Sequence, residues 1–158
     1  MALRLVRIDD RLIHGQVVAV WLKALGAKRI VIVDDKTARD DFLREILELA
    51  APPGVQVEVF ELARGIERVR ELETAPEPVF VLMRSPITAL RLREAGVAFP
   101  LLNVGGIGAG PGRKPLYRNI SASPEELDAM RRLEAMGTRV ELRIVESDRP
   151  VAFSSVKA

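Results

Sequence analysis

The segment Arg29–Val33, Arg-Ile-Val-Ile-Val, constrains the fold more than any other stretch of this chain. Four consecutive β-branched residues leave no polar face, so a strand here must be covered on both sides, as inside a parallel sheet. Pro78–Met83 (Pro-Val-Phe-Val-Leu-Met) has the same character. Further strands are read at Leu3–Ile8, Val55–Phe60, Pro100–Val104 and Thr138–Val145.

Helical stretches alternate with these strands. Gly15–Leu25 reads as a helix closed by Gly26, and Thr37 as the N-cap of a helix running to about Ala50. That second helix has Asp40 and Asp41 in its first turn and Phe42, Ile46 and Leu49 on one stripe. Glu61–Leu72 is helical. Ser85-Pro86 supplies an N-cap and N1 pair for a helix closed by Gly96. Ser123-Pro124-Glu125-Glu126 is a capping box, and Gly137 ends its helix. The expected fold is α/β, a three-layer α/β/α arrangement with a mostly parallel sheet of about six strands. A chain of 158 residues suits a single domain, 1–158.

Composition removes whole classes of function. The chain has no cysteine and one histidine, which excludes disulfides, thiol catalysis and any metal site built from several Cys or His ligands. Lys+Arg and Asp+Glu number 24 and 22, with no basic block, so nucleic acid is not an expected partner. The longest apolar run, Val17–Leu22, falls far short of the ~20 residues of a membrane span. The N-terminus passes straight into a strand, leaving no room for a signal peptide, and a cytoplasmic location is expected.

In open parallel α/β sheets, ligands bind beyond the carboxyl ends of the strands. The richest such end follows the first strand: Arg7-Ile8-Asp9-Asp10-Arg11-Leu12-Ile13-His14-Gly15-Gln16. It combines two carboxylates, two guanidiniums and the sole histidine just before a helix. A helix N-terminus offers unpaired N–H groups to a phosphoryl group, and Arg11 has a fork that binds two phosphate oxygens. A neutral imidazole is a competent nucleophile towards phosphorus. The same residues also suit a simpler reading, in which the histidine packs or caps locally and the Asp-Asp pair makes a turn.

The stretch from Arg7 to Val17 closely resembles the active-site segment of IIB components of the mannose/fructose/sorbose family of the bacterial phosphoenolpyruvate:sugar phosphotransferase system. Ile32-Val33-Asp34-Asp35, Ala51-Pro52-Pro53-Gly54-Val55, Asn103-Val104-Gly105-Gly106 and Val140-Glu141-Leu142-Arg143 extend the resemblance along the chain. It implies that His14 is phosphorylated, through Nδ1, by a separate IIA protein's phosphohistidine. The phosphoryl group then passes to a sugar imported by membrane IIC/IID components, with which the protein associates peripherally. Arg11 would bind the phosphate with Gly15 and Gln16, while Arg7, Asp9 and Asp10 support the site. No metal or other cofactor is implied. The alternative is a regulatory phosphoprotein of an incomplete system, phosphorylated on His14 but acting through protein binding.

Three further features invite other readings. The Gly105–Pro115 loop fits neither Gly-x-Gly-x-x-Gly nor Gly-x-x-x-x-Gly-Lys-Ser/Thr and is read as a mobile surface loop, with Arg113 and Lys114 available to a phosphate or an acidic partner. Arg84, ending the fourth strand, faces the same rim and has two readings, an approach to the site and a solvated helix-start residue, of which the second is preferred. Asp9-Asp10 with Asp34-Asp35 suggests a phosphoaspartate receiver. Phe60 stands where that fold needs an aspartate, and Asn103-Val104-Gly105 where it needs a lysine, so this reading is rejected.

Overall fold

The computed structural model describes residues 3–15 and 17–156. Chain order is β1 (Leu3–Asp9), α1 (Val17–Leu25), β2 (Arg29–Val33), α2 (Asp35–Arg39), α3 (Asp41–Leu49), β3 (Gln56–Phe60), α4 (Leu62–Leu72) and β4 (Val79–Met83). There follow α5 (Pro86–Glu94), β5 (Leu101–Gly106), β6 (Lys114–Tyr117), β7 (Ile120–Ala122), α6 (Pro124–Ala135), β8 (Arg139–Leu142) and β9 (Val151–Ala152). The main sheet has the order β3-β2-β4-β1-β5-β8-β9. Its first six strands are parallel, as expected, and β9 adds an antiparallel edge to β8. The strand β1 sits near the middle, with Ile8 opposite Met83 of β4 and Val104 of β5.

The continuous apolar strands are buried on both faces because helices cover both. In β2, Ile30 and Ile32 join Trp21 and Leu22 of α1 and Leu47 of α3 in one cluster. Val31 and Val33 point the other way, into a cluster with Val69 of α4, Leu92 of α5 and Met130 of α6. Successive side chains alternate across the pleat, so one strand feeds two cores. The anticipated caps are present. The Ser85 hydroxyl accepts from the Ile87 N–H, and Ser123 and Glu126 satisfy each other's backbone N–H groups.

The structure corrects several expectations. Thr37 is not an N-cap, and 37–50 is not one helix. Asp34 caps α2 by accepting from the Thr37 N–H and hydroxyl, and Thr37 is buried inside that short helix. The backbone turns extended at Asp40, whose carboxylate starts α3 by accepting from the Leu43 N–H. This restart turns Leu43 and Leu47 towards the core. It leaves Phe42, Ile46 and Leu49 on the outside, 73%, 44% and 79% exposed.

The strand expected over Thr138–Val145 ends at Leu142, where the chain turns to form β9. The strand expected to stop at Val104 continues to Gly106. The glycine-rich segment is therefore shorter than the sequence suggests, because Lys114 and Pro115 already belong to the β6–β7 hairpin.

Candidate active site

The central strand β1 delivers its carboxyl end to the middle of the sheet rim, and the tight turn after it shapes the site. The Leu12 N–H donates to the Asp9 carbonyl at 2.9 Å, with Leu12 in the left-handed region at φ 55°. Burial of the Leu12 side chain holds this strained backbone in place. Gly15 turns the chain again at φ 50° just before α1. The helix expected from Gly15 begins at Val17, and Gln16 lies outside the described residues.

Asp9 organises what lies inside that turn. It is only 2% exposed, and Oδ2 stands 2.9 Å from Nε2 of His14, whose side chain is 18% exposed. Oδ2 also accepts from Nη2 of Arg7 at 3.3 Å, while Oδ1 accepts from the Arg11 backbone N–H at 3.1 Å. The carboxylate thus joins a histidine facing the surface to an arginine buried beneath it.

Arg7 is 1% exposed, an expensive place for a charge unless it is saturated with partners. It donates to the Asn103 Oδ1, to the Arg143 and Ile144 carbonyls at 3.0 and 2.7 Å, and to Asp9. Its guanidinium lies over the Trp21 ring at 5.4 Å, and that of Arg143 lies 5.1 Å from the same ring. Burial holds the Arg7 pKa below its ordinary value, against the opposing pull of Asp9. Gly105 makes room for this group. A Cβ there would fall 2.0 Å from Cζ of Arg7, a position only glycine tolerates.

The chemistry of the pair follows from proton inventory. A carboxylate has no proton to give, so in the His14–Asp9 hydrogen bond Nε2–H donates and Oδ2 accepts. In a neutral ring this leaves the lone pair on Nδ1. The arrangement therefore offers an oriented nitrogen nucleophile with an anion behind it to stabilise positive charge on the ring. Among the described residues, no three acidic or histidine side chains converge as a metal cage.

The remaining candidate residues separate. Arg11 is exposed at the mouth of the turn, and its guanidinium has no ion pair among the described residues. Asp10 does not join Arg7, Arg11 or His14. Its Oδ2 accepts from the Gly108 N–H at 2.7 Å. The glycine-rich segment, read from sequence as a mobile loop, is thus pinned to the site on one side. On the other, Arg113 grips Glu126 through two 3.0 Å bonds and also donates to the Gly108 carbonyl at 3.1 Å. Glu126 raises the Arg113 pKa, and this fork is committed to structure. Lys114 is exposed at the start of β6. Arg84 reaches the turn, its Nε donating to the Asp10 carbonyl at 3.1 Å. Trp21 and Arg143 also belong to this neighbourhood; the sequence reading gave neither a role at the site, although Arg143 ends a stretch that carries the resemblance. The only available signal for the former was a tryptophan inside an otherwise aliphatic run.

The family described as PTS system sorbose subfamily IIB component matches residues 3–157. The sorbose-specific EIIB component of Klebsiella pneumoniae is 40% identical over 148 residues, covering 94% of this chain and 90% of that protein. The mannose-specific EIIAB component of Escherichia coli K12 is 36% identical over 148 residues, and the match spans 46% of that longer protein. The crystal structure of the IIBSor domain of the Klebsiella pneumoniae sorbose permease superposes with a TM-score of 0.93 at 39% identity, over 98% of this chain and 95% of that one.

Proposed function

Because the chain belongs to the sorbose subfamily of IIB components of the sugar phosphotransferase system, we propose that Nδ1 of His14 carries the phosphoryl group between a IIA partner and a sugar. The observation that carries this reading is the 2.9 Å contact between Nε2 of His14 and the buried Asp9. It fixes the ring and the tautomer, so the outward-facing nitrogen has its lone pair available before a donor arrives.

In the first transfer, Nδ1 attacks the phosphorus of a IIA phosphohistidine. The new N–P bond forms as the donor's N–P bond breaks, and the donor imidazole leaves. The His14 ring becomes positive while Nε2–H stays on Asp9, and the carboxylate stabilises that charge. A positive ring is also a good leaving group. In the second transfer, a sugar hydroxyl attacks phosphorus, its proton passes to solvent, and His14 returns neutral. Arg11, with the backbone N–H of Gly15 and with Gln16, neutralises phosphoryl oxygens during both steps. Arg7 supports Asp9 from below, and Asp10 supports the site by anchoring Gly108.

The whole chain, 1–158, acts in this reading as one IIB domain. Its donor is a IIA phosphohistidine. Its acceptor is a sugar held by membrane IIC/IID components, to which a cytoplasmic protein binds peripherally. No helix among the described residues is long and apolar enough to cross a membrane. The test is phosphorylation from phosphoenolpyruvate through the general phosphotransferases and a IIA protein. One acid-labile, base-stable phosphoryl group is expected, and His14→Ala abolishes it with the fold intact. Labelling retained in His14→Ala sinks the assignment, since the sequence has no second histidine.

A further inference from the structure

A phosphoryl group on His14 brings two negative charges to a site that already contains the Asp9 carboxylate. Arg7 balances Asp9, and both its Nη groups are taken by Asn103, two carbonyls and that carboxylate. Arg113 is held bidentate by Glu126, and Arg143 is turned onto the Trp21 ring and the Glu146 carbonyl. Arg7 and Arg113 have no free fork, and Arg143 spends one of its two Nη groups on Glu146. The positive ring faces Asp9, and the Arg11 fork can meet only two of the three phosphoryl oxygens, so a donor for the third is missing.

Arg84 has the position and the free valence to supply it. It directly follows Met83, which lies opposite Ile8, so the pairing of β4 with β1 brings it beside the start of the phosphorylation turn. Its Nε is fixed to the Asp10 carbonyl at 3.1 Å. Both terminal nitrogens lack a hydrogen-bond partner among the described residues, and no carboxylate pairs with it there. An arginine tied down through Nε presents its two Nη groups with little conformational entropy left to lose. Half-burial strengthens its field relative to a fully solvated side chain.

We propose that Arg84 is the second phosphoryl-binding cation of the site, closing on the dianionic group of phospho-His14 from the β4 side while Arg11 closes from the turn. This rests on His14 being the phosphorylated residue. It gives the Nε bond to Asp10 a purpose beyond bracing the loop, since it aims the fork.

The test uses the full-length protein phosphorylated with potassium phosphoramidate, which needs no partner protein. Nδ1 of His14 attacks phosphorus, the P–N bond of the reagent breaks, and ammonia leaves. The second ionisation of the phosphoryl group is then followed by 31P NMR. Removing a cation disfavours the dianion, so Arg84→Gln is expected to raise that ionisation by about one pH unit and to shorten the phosphohistidine lifetime. Arg84→Lys, which keeps the charge, is expected to stay near wild type. A residue that only braced the loop would not separate these variants by charge. Identical titrations for Arg84→Gln and Arg84→Lys, whether at the wild-type value or shifted together, overturn the proposal. A wild-type protein that takes no phosphoryl group on His14 overturns the reading on which it rests, and the proposal with it.

Discussion

Replacing Asp9 by asparagine changes one oxygen to an amide nitrogen, almost without change of shape, yet it attacks the site twice. The carboxylate accepts from Nε2 of His14, from Nη2 of Arg7 and from the Arg11 N–H. An amide offers one acceptor oxygen. If that oxygen stays with the Arg11 N–H, the amide nitrogen takes the place of Oδ2 and faces both Arg7 and Nε2, and Nε2 then must accept. The ring proton moves to Nδ1 and removes the lone pair from the outward nitrogen. Loss of a hydrogen bond to a charged group, about 1.5–3 kcal/mol, corresponds to roughly 10- to 150-fold in rate, and the wrong tautomer adds to it. Transfer to His14 is therefore expected to slow by at least about 100-fold.

Stability falls as well, because Arg7 is left buried without its counter-ion. Breaking a buried pair costs about 3–5 kcal/mol, and the acceptors Arg7 keeps place the loss near about 3 kcal/mol. That is a drop in melting temperature of roughly 6–12 °C for a chain of this size. The assay combines quench-flow phosphorylation, thermal unfolding and 15N NMR of the ring nitrogens. Wild-type transfer rates in Asp9→Asn, with Nε2 still protonated, refute the argument that Asp9 sets the tautomer.

Three other perturbations follow from the same geometry. Arg11→Ala should slow phosphoryl transfer by roughly 10- to 150-fold, the worth of a charge-assisted bond that tightens in the transition state, with only partial rescue by Arg11→Lys; stopped-flow transfer kinetics check it. Gly105→Ala should destabilise by about 3 kcal/mol in denaturant titration, because the new Cβ occupies the space of the Arg7 guanidinium. On the opposite side of the sheet, a hydrogen bond from Arg68, reinforced by Arg29, holds the Glu58 carboxyl below its usual range. Its contribution is present above the ordinary carboxylate pKa and is lost as pH falls through the depressed folded value. Glu58→Gln should therefore remove about 1 kcal/mol at pH 7 and almost nothing in strong acid, measured by unfolding across pH.

Much of the architecture was legible because the strands carry their environment in their composition. Arg29–Val33 and Pro78–Met83 have no polar face, and the structure buries both faces of β2 and β4. The serine caps at 85 and 123 were equally readable, since Ser-Pro before a helical stretch has one dominant use. What failed was local competition. Thr37 resembles an N-cap, but Asp34 and Asp40 are better acceptors on either side of it, and they divide one apparent helix into two. That division turns the Phe42, Ile46 and Leu49 stripe outward.

The site was legible as a cluster but not as a circuit. Residue types told that Arg7, Asp9, Asp10, Arg11 and His14 lie close, because all fall at the end of β1 and in the turn after it. Which carboxylate meets the histidine depends on pleat direction and on the left-handed Leu12, neither of which spacing reveals. The long-range partners were further out of reach. Asn103 and Gly105 reach Arg7 only because β5 is the neighbour of β1, and Gly108 reaches Asp10 for the same reason.

The most direct test of the account is to identify the nitrogen that carries phosphorus. A 31P- and 15N-resolved NMR spectrum of the phosphorylated, 15N-labelled protein reads this through the N–P coupling. The account predicts phosphorus on Nδ1 of His14, with a protonated Nε2 still bound to Asp9. Phosphorus on Nε2, the atom that Asp9 occupies, would contradict it.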